Sequence, residues 1–191
     1  PQQNELLPEP TRPVASAAPE TRAREEGEFF NKTAIGFWRY SARFDDLTDA
    51  DAAGNPVRRP NQGAYFLAER TLSVESNRPS QGLSGFVRFG TASRDIHQAD
   101  WTGSIGLRYH GLIPGRDDDI AGMAVTVNHA GDKYRRITPG PSRETDVEAT
   151  YRAQINPWLA LQPVLQYISN PNMDAALGNV WIIGARLEVA F

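Results

Sequence analysis

Apolar and polar side chains alternate at every second position over most of the chain after residue 32. A period of two residues is the period of a β-strand, because successive side chains point to opposite faces of a sheet. The pattern predicts eight strands, at about 33–44, 63–73, 82–92, 99–112, 119–130, 144–155, 158–169 and 179–191.

The alternation is clearest in the sixth and eighth predicted strands, where one face is mostly apolar and the other is charged or polar. In the sixth strand the apolar set is Thr145, Val147, Ala149, Tyr151, Ala153 and Ile155, and the polar set is Glu144, Asp146, Glu148, Thr150, Arg152 and Gln154. In the eighth strand the apolar set is Trp181, Ile183, Ala185, Leu187, Val189 and Phe191, opposite Gly184, Arg186 and Glu188.

The predicted strands are long. Most have about 11–14 residues, whereas strands of globular proteins have about 5–6 residues. Tilted strands of about 9–11 residues are what crossing a bilayer requires. The lengths therefore predict an all-β fold, a transmembrane antiparallel β-barrel with about eight strands in this chain.

Alternation alone fits two orientations, with the apolar face either against lipid or inside a soluble barrel. Two features favour lipid. Small residues such as Gly103, Ala149, Ala153 and Ala185 would fill a closed core poorly. Aromatic residues lie on the apolar face, often near strand ends, as in the aromatic girdles of outer-membrane barrels; these are Trp101, Tyr109, Tyr151, Tyr167, Trp181 and Phe191.

The connections between predicted strands differ in length, and in outer-membrane barrels short turns lie on the periplasmic side and longer loops outside the cell. With the C-terminus placed at the periplasmic side, the turns at 74–81, 113–118 and 156–157 are periplasmic. The segments expected to be extracellular loops are 45–62, 93–98, 131–143 and 170–178.

Residues 1–30 have a different composition, with five prolines in the first twenty residues followed by a mixture of Glu and Arg. Such a segment is expected to be extended and flexible. The domain prediction is therefore a flexible segment 1–30 and a barrel region 31–191. Pro1 is an unusual residue after signal-peptidase cleavage, which leads us to expect that the chain begins inside a longer precursor or was processed or cut further.

Composition excludes several other functions. Lys+Arg number 20 and Asp+Glu 23, for a net charge of -3 without a basic tract, so nucleic acid is not an expected partner. The absence of cysteine excludes disulfides, Cys-ligated zinc and thiol catalysis. No spacing indicates a catalytic triad, a phosphate-binding loop or paired catalytic carboxylates, so we expect neither an enzyme nor a cofactor.

Four stretches resemble the C-terminal half of the carbohydrate-selective porins of the OprB family. They are 43–46 (RFDD), 80–84 (SQGLS), 111–119 (GLIPGRDDD) and 148–172, which begins EATYRAQI and continues through PWLALQPVLQY to NPN. The terminal LEVAF at 187–191 also resembles the end of that family. The stretches 111–119 and 148–172 are the specific ones, because many positions match in one continuous run.

The resemblance implies passive diffusion of carbohydrates and other small hydrophilic solutes across the outer membrane. Family barrels have about sixteen strands, so this chain would supply half of the wall, completed by upstream sequence or by a partner chain. The aromatic Phe191 resembles the signal recognised by the barrel-assembly machinery. The resemblance leaves monomer and homo-oligomer both open.

Pore-lining candidates follow from the alternation, because a pore wall needs polar groups that exchange hydrogen bonds with solutes. A mixture of Arg and Glu suits neutral solutes better than a single charge sign does. For each residue the alternative is a side chain that only braces the barrel wall. The candidates are Arg39, Arg43, Arg88, Arg108, Glu148, Arg152, Gln162, Gln166, Arg186 and Glu188.

Metal binding is not predicted. His97, His110 and His129 lack ligand spacing. The run 117–119 lacks the alternating ligands of an EF-hand loop and is interpreted as a periplasmic turn. Four aspartates in segment 45–62 are interpreted as solvated loop charges, with a divalent ion as the alternative; they are Asp45, Asp46, Asp49 and Asp51.

Two alternatives to the open pore are kept. A closed eight-stranded barrel has an interior just wide enough for side chains, which would fill it, and such a protein would have a structural or interaction role. A soluble β-barrel would bury the apolar face instead.

Overall fold

The structure, a computed structural model, describes residues 31–190, which form one antiparallel sheet of eight strands. Each strand pairs with the next one in the chain, in the order β1 to β8. The strands are β1 (Asn31–Ala50), β2 (Pro56–Glu75), β3 (Arg78–Ala92), β4 (Ala99–His110), β5 (Ile120–Ala130), β6 (Arg143–Asn156), β7 (Leu159–Ser169) and β8 (Val180–Val189). The N-terminal segment 1–30 and Phe191, for which predictions were made, lie outside the described residues.

The cross-strand register divides the sheet into two faces. Trp101 lies opposite His129, Ile105 opposite Val125, and Leu107 opposite Met123, and the same row parity continues to β8. We call this the apolar face and the opposite one the polar face. On β8 the apolar face is uncovered, since Trp181 is 62%, Ile183 84% and Leu187 64% exposed.

A lipid-facing orientation accounts for this exposure, since acyl chains would cover these three side chains. A water-soluble sheet rarely leaves so large an apolar patch uncovered. The exposure therefore agrees with the lipid-facing orientation that the alternation favours.

The two outer strands of the sheet have free edges. Within residues 31–190, β1 pairs only with β2, and β8 only with β7. The closed eight-stranded barrel is thus not formed by the described residues. The sheet is an open wall, with unpaired backbone groups along β1 and β8.

The first hairpin is longer than the alternation indicated. Segment 45–62, expected to be a loop, continues β1 and β2 to a tip at residues 51–55. Asp45 pairs with Arg58 across the two strands. Because polar residues occupy both faces here, no apolar period marked the strands.

Two short helices lie in segments expected to be loops. Helix α1 (Asp132–Ile137) connects β5 and β6, and a 3-10 helix (Pro171–Met173) connects β7 and β8. Among the described residues, neither helix has the length and apolar character to cross a bilayer. The remaining predicted turns hold, so the sheet has a turn end (75–78, 111–119 and 156–159) and a loop end opposite to it.

Asp119 fastens the turn between β4 and β5 to β6. Its buried carboxylate accepts hydrogen bonds from Arg116 Nε at 2.7 Å, from the backbone N–H of Gln154 at 2.8 Å and from the hydroxyl of Tyr151. Burial alone would raise the pKa of Asp119, but these hydrogen bonds lower it. The carboxylate is thus a structural acceptor within the predicted turn.

Replacement of Asp119 by Asn is expected to lower the free energy of unfolding of the intact protein by about 1–3 kcal/mol, because donors are left buried without a full acceptor. Urea titration in detergent micelles measures this change. Asp118→Asn is the control, since Asp118 is exposed and one residue away. Equal stability of D119N and D118N would contradict the role of Asp119.

Candidate functional site

Eight of the ten candidate pore-lining residues share the polar face. Glu148 lies opposite Gln166, Gln162 opposite Arg186, and the neighbouring positions follow the same parity. The register extends this face through β5 and β4 to β3. The eight residues are Arg88, Arg108, Glu148, Arg152, Gln162, Gln166, Arg186 and Glu188.

The other two candidates lie on the opposite face. Arg39 is opposite Gln62 and two positions from Phe37, which is in register with Ala64 on the apolar face. Arg43 lies opposite Pro60, two residues from Gln62, and so has the same parity. Grouping these two arginines with the other eight was wrong, because an isolated strand whose polar and apolar residues are mixed does not reveal which parity faces inward.

Charges of both signs are paired along the polar face of β6 to β8. Arg152 Nε lies 2.9 Å from Glu188 Oε2, and its Nη1 donates to Gln154 Oε1 at 2.6 Å. Gln166 Nε2 donates to Glu148 Oε2 at 2.5 Å. These side chains are only partly buried, so they brace the wall and still contact the space beside it.

A second group lies on β2 and β3. Arg88 Nη2 lies 2.9 Å from Glu69 Oε1, and the Arg88 guanidinium lies 4.7 Å from the centre of the Phe86 ring. Glu69 is in register with Phe86, so all three residues share the polar face. Glu69 was not among the candidates, although the regular alternation of its strand could have indicated that it lies on the polar face.

A hydrogen-bonded ladder crosses the polar face near the loop end. Thr102 Oγ1 donates to Asn128 Oδ1 at 2.7 Å, and Asn128 Nδ2 donates to Glu144 Oε1 at 2.8 Å. Glu144 Oε2 accepts the backbone N–H of Asn172 at 2.6 Å. Next to this ladder, Asp146 Oδ1 is buried and accepts no hydrogen bond from the described residues.

Three aromatic rings on the polar face each cover a glycine of the neighbouring strand. Trp38 lies opposite Gly63, and a Cβ atom at that glycine would overlap the Trp38 ring. Tyr65 covers Gly36 and Phe86 covers Gly106 in the same way. The glycines let the rings lie flat along the wall, which leaves ring faces directed away from the sheet. This pairing depends on register, so the sequence alone did not reveal it.

At the loop end, Lys133 links its own helix α1 to the first hairpin and to the loop between β3 and β4. Its Nζ lies 2.5 Å from Asp46 Oδ2, 2.8 Å from Asp49 Oδ2 and 2.9 Å from Asp95 Oδ1. Arg59 also reaches Asp46 and Asp49, each at 2.8 Å. Asp46 has a side chain that is 0% exposed. Asp46 and Asp49 are thus held by protein cations, which corrects their interpretation as solvated loop charges.

The pairing shifts the pKa values within this cluster. Burial alone would raise the pKa of Asp46, but hydrogen bonds from Lys133, two backbone N–H groups and Arg59 hold it well below its usual range. Burial alone would lower the pKa of Lys133, but its three aspartate partners raise it. The cluster therefore stabilises the loop end at neutral pH. Its contribution is lost as pH falls through the lowered pKa of Asp46, and as pH rises through the raised pKa of Lys133.

A small apolar cluster lies beside these ion pairs. Tyr134 of α1, Ala130 and Met173 are buried together, with Leu47 of β1 packed against them. The Tyr134 hydroxyl donates to the carbonyl of Asn172 at 2.9 Å. The ion pairs and this cluster together fix the first hairpin, α1 and the 3-10 helix to one another.

A family comparison matches most of the chain. The profile of the "Carbohydrate-selective porin, OprB family" matches residues 9–191. Among curated proteins, Porin B of Pseudomonas aeruginosa is 23% identical over 184 residues, which cover 82% of this chain and 40% of that protein. The chain thus spans well under half the length of this relative.

Comparison with solved structures confirms the predicted outer-membrane barrel fold. The high-pH structure of Pseudomonas putida OprB has a TM-score of 0.76 at 23% identity, covering 84% of this chain and 44% of that one. The low-pH structure has a TM-score of 0.54 at 21% identity, covering 85% and 51%. The eight-stranded wall therefore corresponds to about half of such a barrel.

Proposed function

Because the chain belongs to the OprB family of carbohydrate-selective porins, we propose that it forms half of the wall of a pore through which carbohydrates and other small hydrophilic solutes diffuse passively. The family places it in the outer membrane as an integral protein. The resemblance found in the sequence is thereby confirmed.

The observation that carries the proposal is the contrast between the two faces. The apolar face is uncovered over β8, whereas the polar face holds hydrogen-bonded charges of both signs, such as Arg152 with Glu188. The apolar face is stable against lipid, whereas the polar face requires contact with water or polar solutes. A wall with these two faces separates a bilayer from an aqueous path.

The free edges of β1 and β8 indicate what completes the pore. A sheet edge with unpaired N–H and C=O groups is not stable in hydrocarbon, so membrane sheets close on themselves. Further strands, supplied by the rest of the protein or by a partner chain, pair with both edges. A barrel of about sixteen strands has an interior wide enough for an aqueous channel.

The polar face offers the groups that a sugar needs. Arg and Glu side chains of opposite sign exchange hydrogen bonds with hydroxyls without selecting one ionic charge. The rings of Trp38 and Tyr65 offer flat apolar surfaces for the C–H faces of a pyranose. This function requires no catalytic group and no cofactor.

Conductance of the intact protein in planar bilayers tests the proposal. Neutral saccharides are expected to lower the conductance in a saturable, concentration-dependent manner, and liposomes that contain the protein are expected to swell in isotonic sugar. A conductance that saccharides leave unchanged, together with liposomes that do not swell, would contradict it.

Glu148→Gln is expected to shift the ion selectivity of the pore toward anions, by roughly twofold in the permeability ratio, because one negative charge leaves the wall while the bond to Gln166 is kept. The reversal potential in a salt gradient measures this shift. Glu75→Gln is the matched control, because Glu75 bonds to Tyr109 at the turn end of the apolar face. Unchanged selectivity in E148Q would show that Glu148 does not line the aqueous path.

A further inference from the structure

A groove of about 630 Å³ lies across β1, β2 and the end of β3. Side chains of the apolar face form most of its lining: Phe37, Arg39, Gln62, Ala64 and Thr91. Ala64 and Thr91 are short, and Phe37 of the outer strand β1 stands at one side. The groove is thus apolar toward the middle of the strands and polar toward the loop end.

Arg39 is a cation on a face that meets lipid. Within residues 31–190 its side chain forms no hydrogen bond and no ion pair. Two carboxylates near the loop end have other partners, since Asp45 pairs with Arg58 and Asp100 with His129. A guanidinium against lipid is costly unless it reaches the headgroups and finds an anion there.

The register gives the depth of Arg39. Phe37, Ala64, Thr91 and Trp101 form one cross-strand row. Trp101 stacks on His129 and on Phe89, as expected for a girdle residue at the membrane interface. Arg39 lies two residues beyond this row toward the loop end, so its guanidinium is at headgroup level in the outer leaflet.

We propose that this groove binds one acylated lipid whose headgroup carries phosphate, with an acyl chain against Phe37 and Ala64 and the phosphate on Arg39. The fork of N–H donors on a guanidinium matches phosphate oxygens. The exposed side chain of Gln62 lies opposite Arg39 and offers a further donor. The inference rests on the lipid-facing orientation in the proposed function, but not on sugar transport.

The test measures binding of diphosphoryl lipid A to the intact protein in detergent by native mass spectrometry. Arg39→Gln is expected to weaken binding about fivefold, the effect of one cation near an anionic lipid surface. Arg70→Gln should leave binding unchanged. Arg70 is also exposed and on the apolar face, opposite Gly85, but lies toward the turn end.

Lipid A from which both phosphates have been removed should bind the unaltered protein as weakly as diphosphoryl lipid A binds R39Q, and this arm needs no variant. The proposal would be overturned by equal binding of the two lipids, by an equal loss of lipid A binding in R39Q and R70Q, or by displacement of lipid A by millimolar inorganic phosphate. A change in subunit number in R39Q, measured by light scattering, would overturn it in favour of a second copy. Saccharide block of conductance in R39Q should match the unaltered protein, which separates this inference from the transport function.

Discussion

Replacing Ile183 with arginine is expected to lower the free energy of unfolding of the intact protein by about 2–4 kcal/mol, because the guanidinium would lie against acyl chains near the middle of the bilayer. Ile183 is near the centre of β8 and is the most exposed apolar side chain of that strand. Urea titration of the protein folded into liposomes measures the change.

The matched control is the preceding residue. Ile182 lies opposite Gln166 on the polar face, so Ile182→Arg places the same guanidinium toward water. This variant is expected to unfold within about 1 kcal/mol of the unaltered protein. The reverse outcome, with I182R destabilised and I183R tolerated, would mean that the apolar face lies inside and would end the transport proposal.

Lys133→Met is expected to lower the free energy of local opening at the loop end by about 3 kcal/mol, since Asp46 is then buried with only Arg59 as a charged partner. Asp49 and Asp95 lose a shared cation at the same time. Hydrogen exchange measured by mass spectrometry should show faster exchange in residues 45–50 and 132–137. The open-channel current should become noisier as these connections move.

Two variants control this prediction. Arg135→Met removes a cation from the exposed side of the same helix, and exchange should remain at the level of the unaltered protein. Lys133→Arg keeps the charge and should restore most of the protection. Loss of protection in R135M equal to that in K133M would mean that helix charge, and not the pairing with Asp46, stabilises the loop end.

Strands β3 to β8 were predictable from sequence to within a few residues at each end. Their apolar faces meet lipid and their polar faces meet water, so the period of two is visible in the residues themselves. The outer half of the first hairpin was not predictable, because Asp45 and Arg58 pair where both faces are polar. Helix α1 has six residues, too few to show a helical period.

The site was predictable only where one strand carried its own pattern. Arg152 and Glu188 could be assigned to a face because their strands alternate strictly. The aromatic–glycine pairs and the Lys133 cluster could not be found, because their members are far apart in the chain and meet only through register and loop folding. Arg39 was assigned to the wrong face, because only the register between β1 and β2 reveals which face its side chain lies on.

The strictly sequential strand order has a consequence for how such walls vary in size. Each strand pairs only with its immediate neighbours in the chain, so an adjacent pair is a complete building unit. Insertion or loss of one strand pair changes the circumference of the barrel. The remaining strands keep their pairing order, and their side chains keep the same inward and outward directions. Variation in bore among related proteins is therefore expected in steps of two strands, with surface loops and inner turns kept on their own sides.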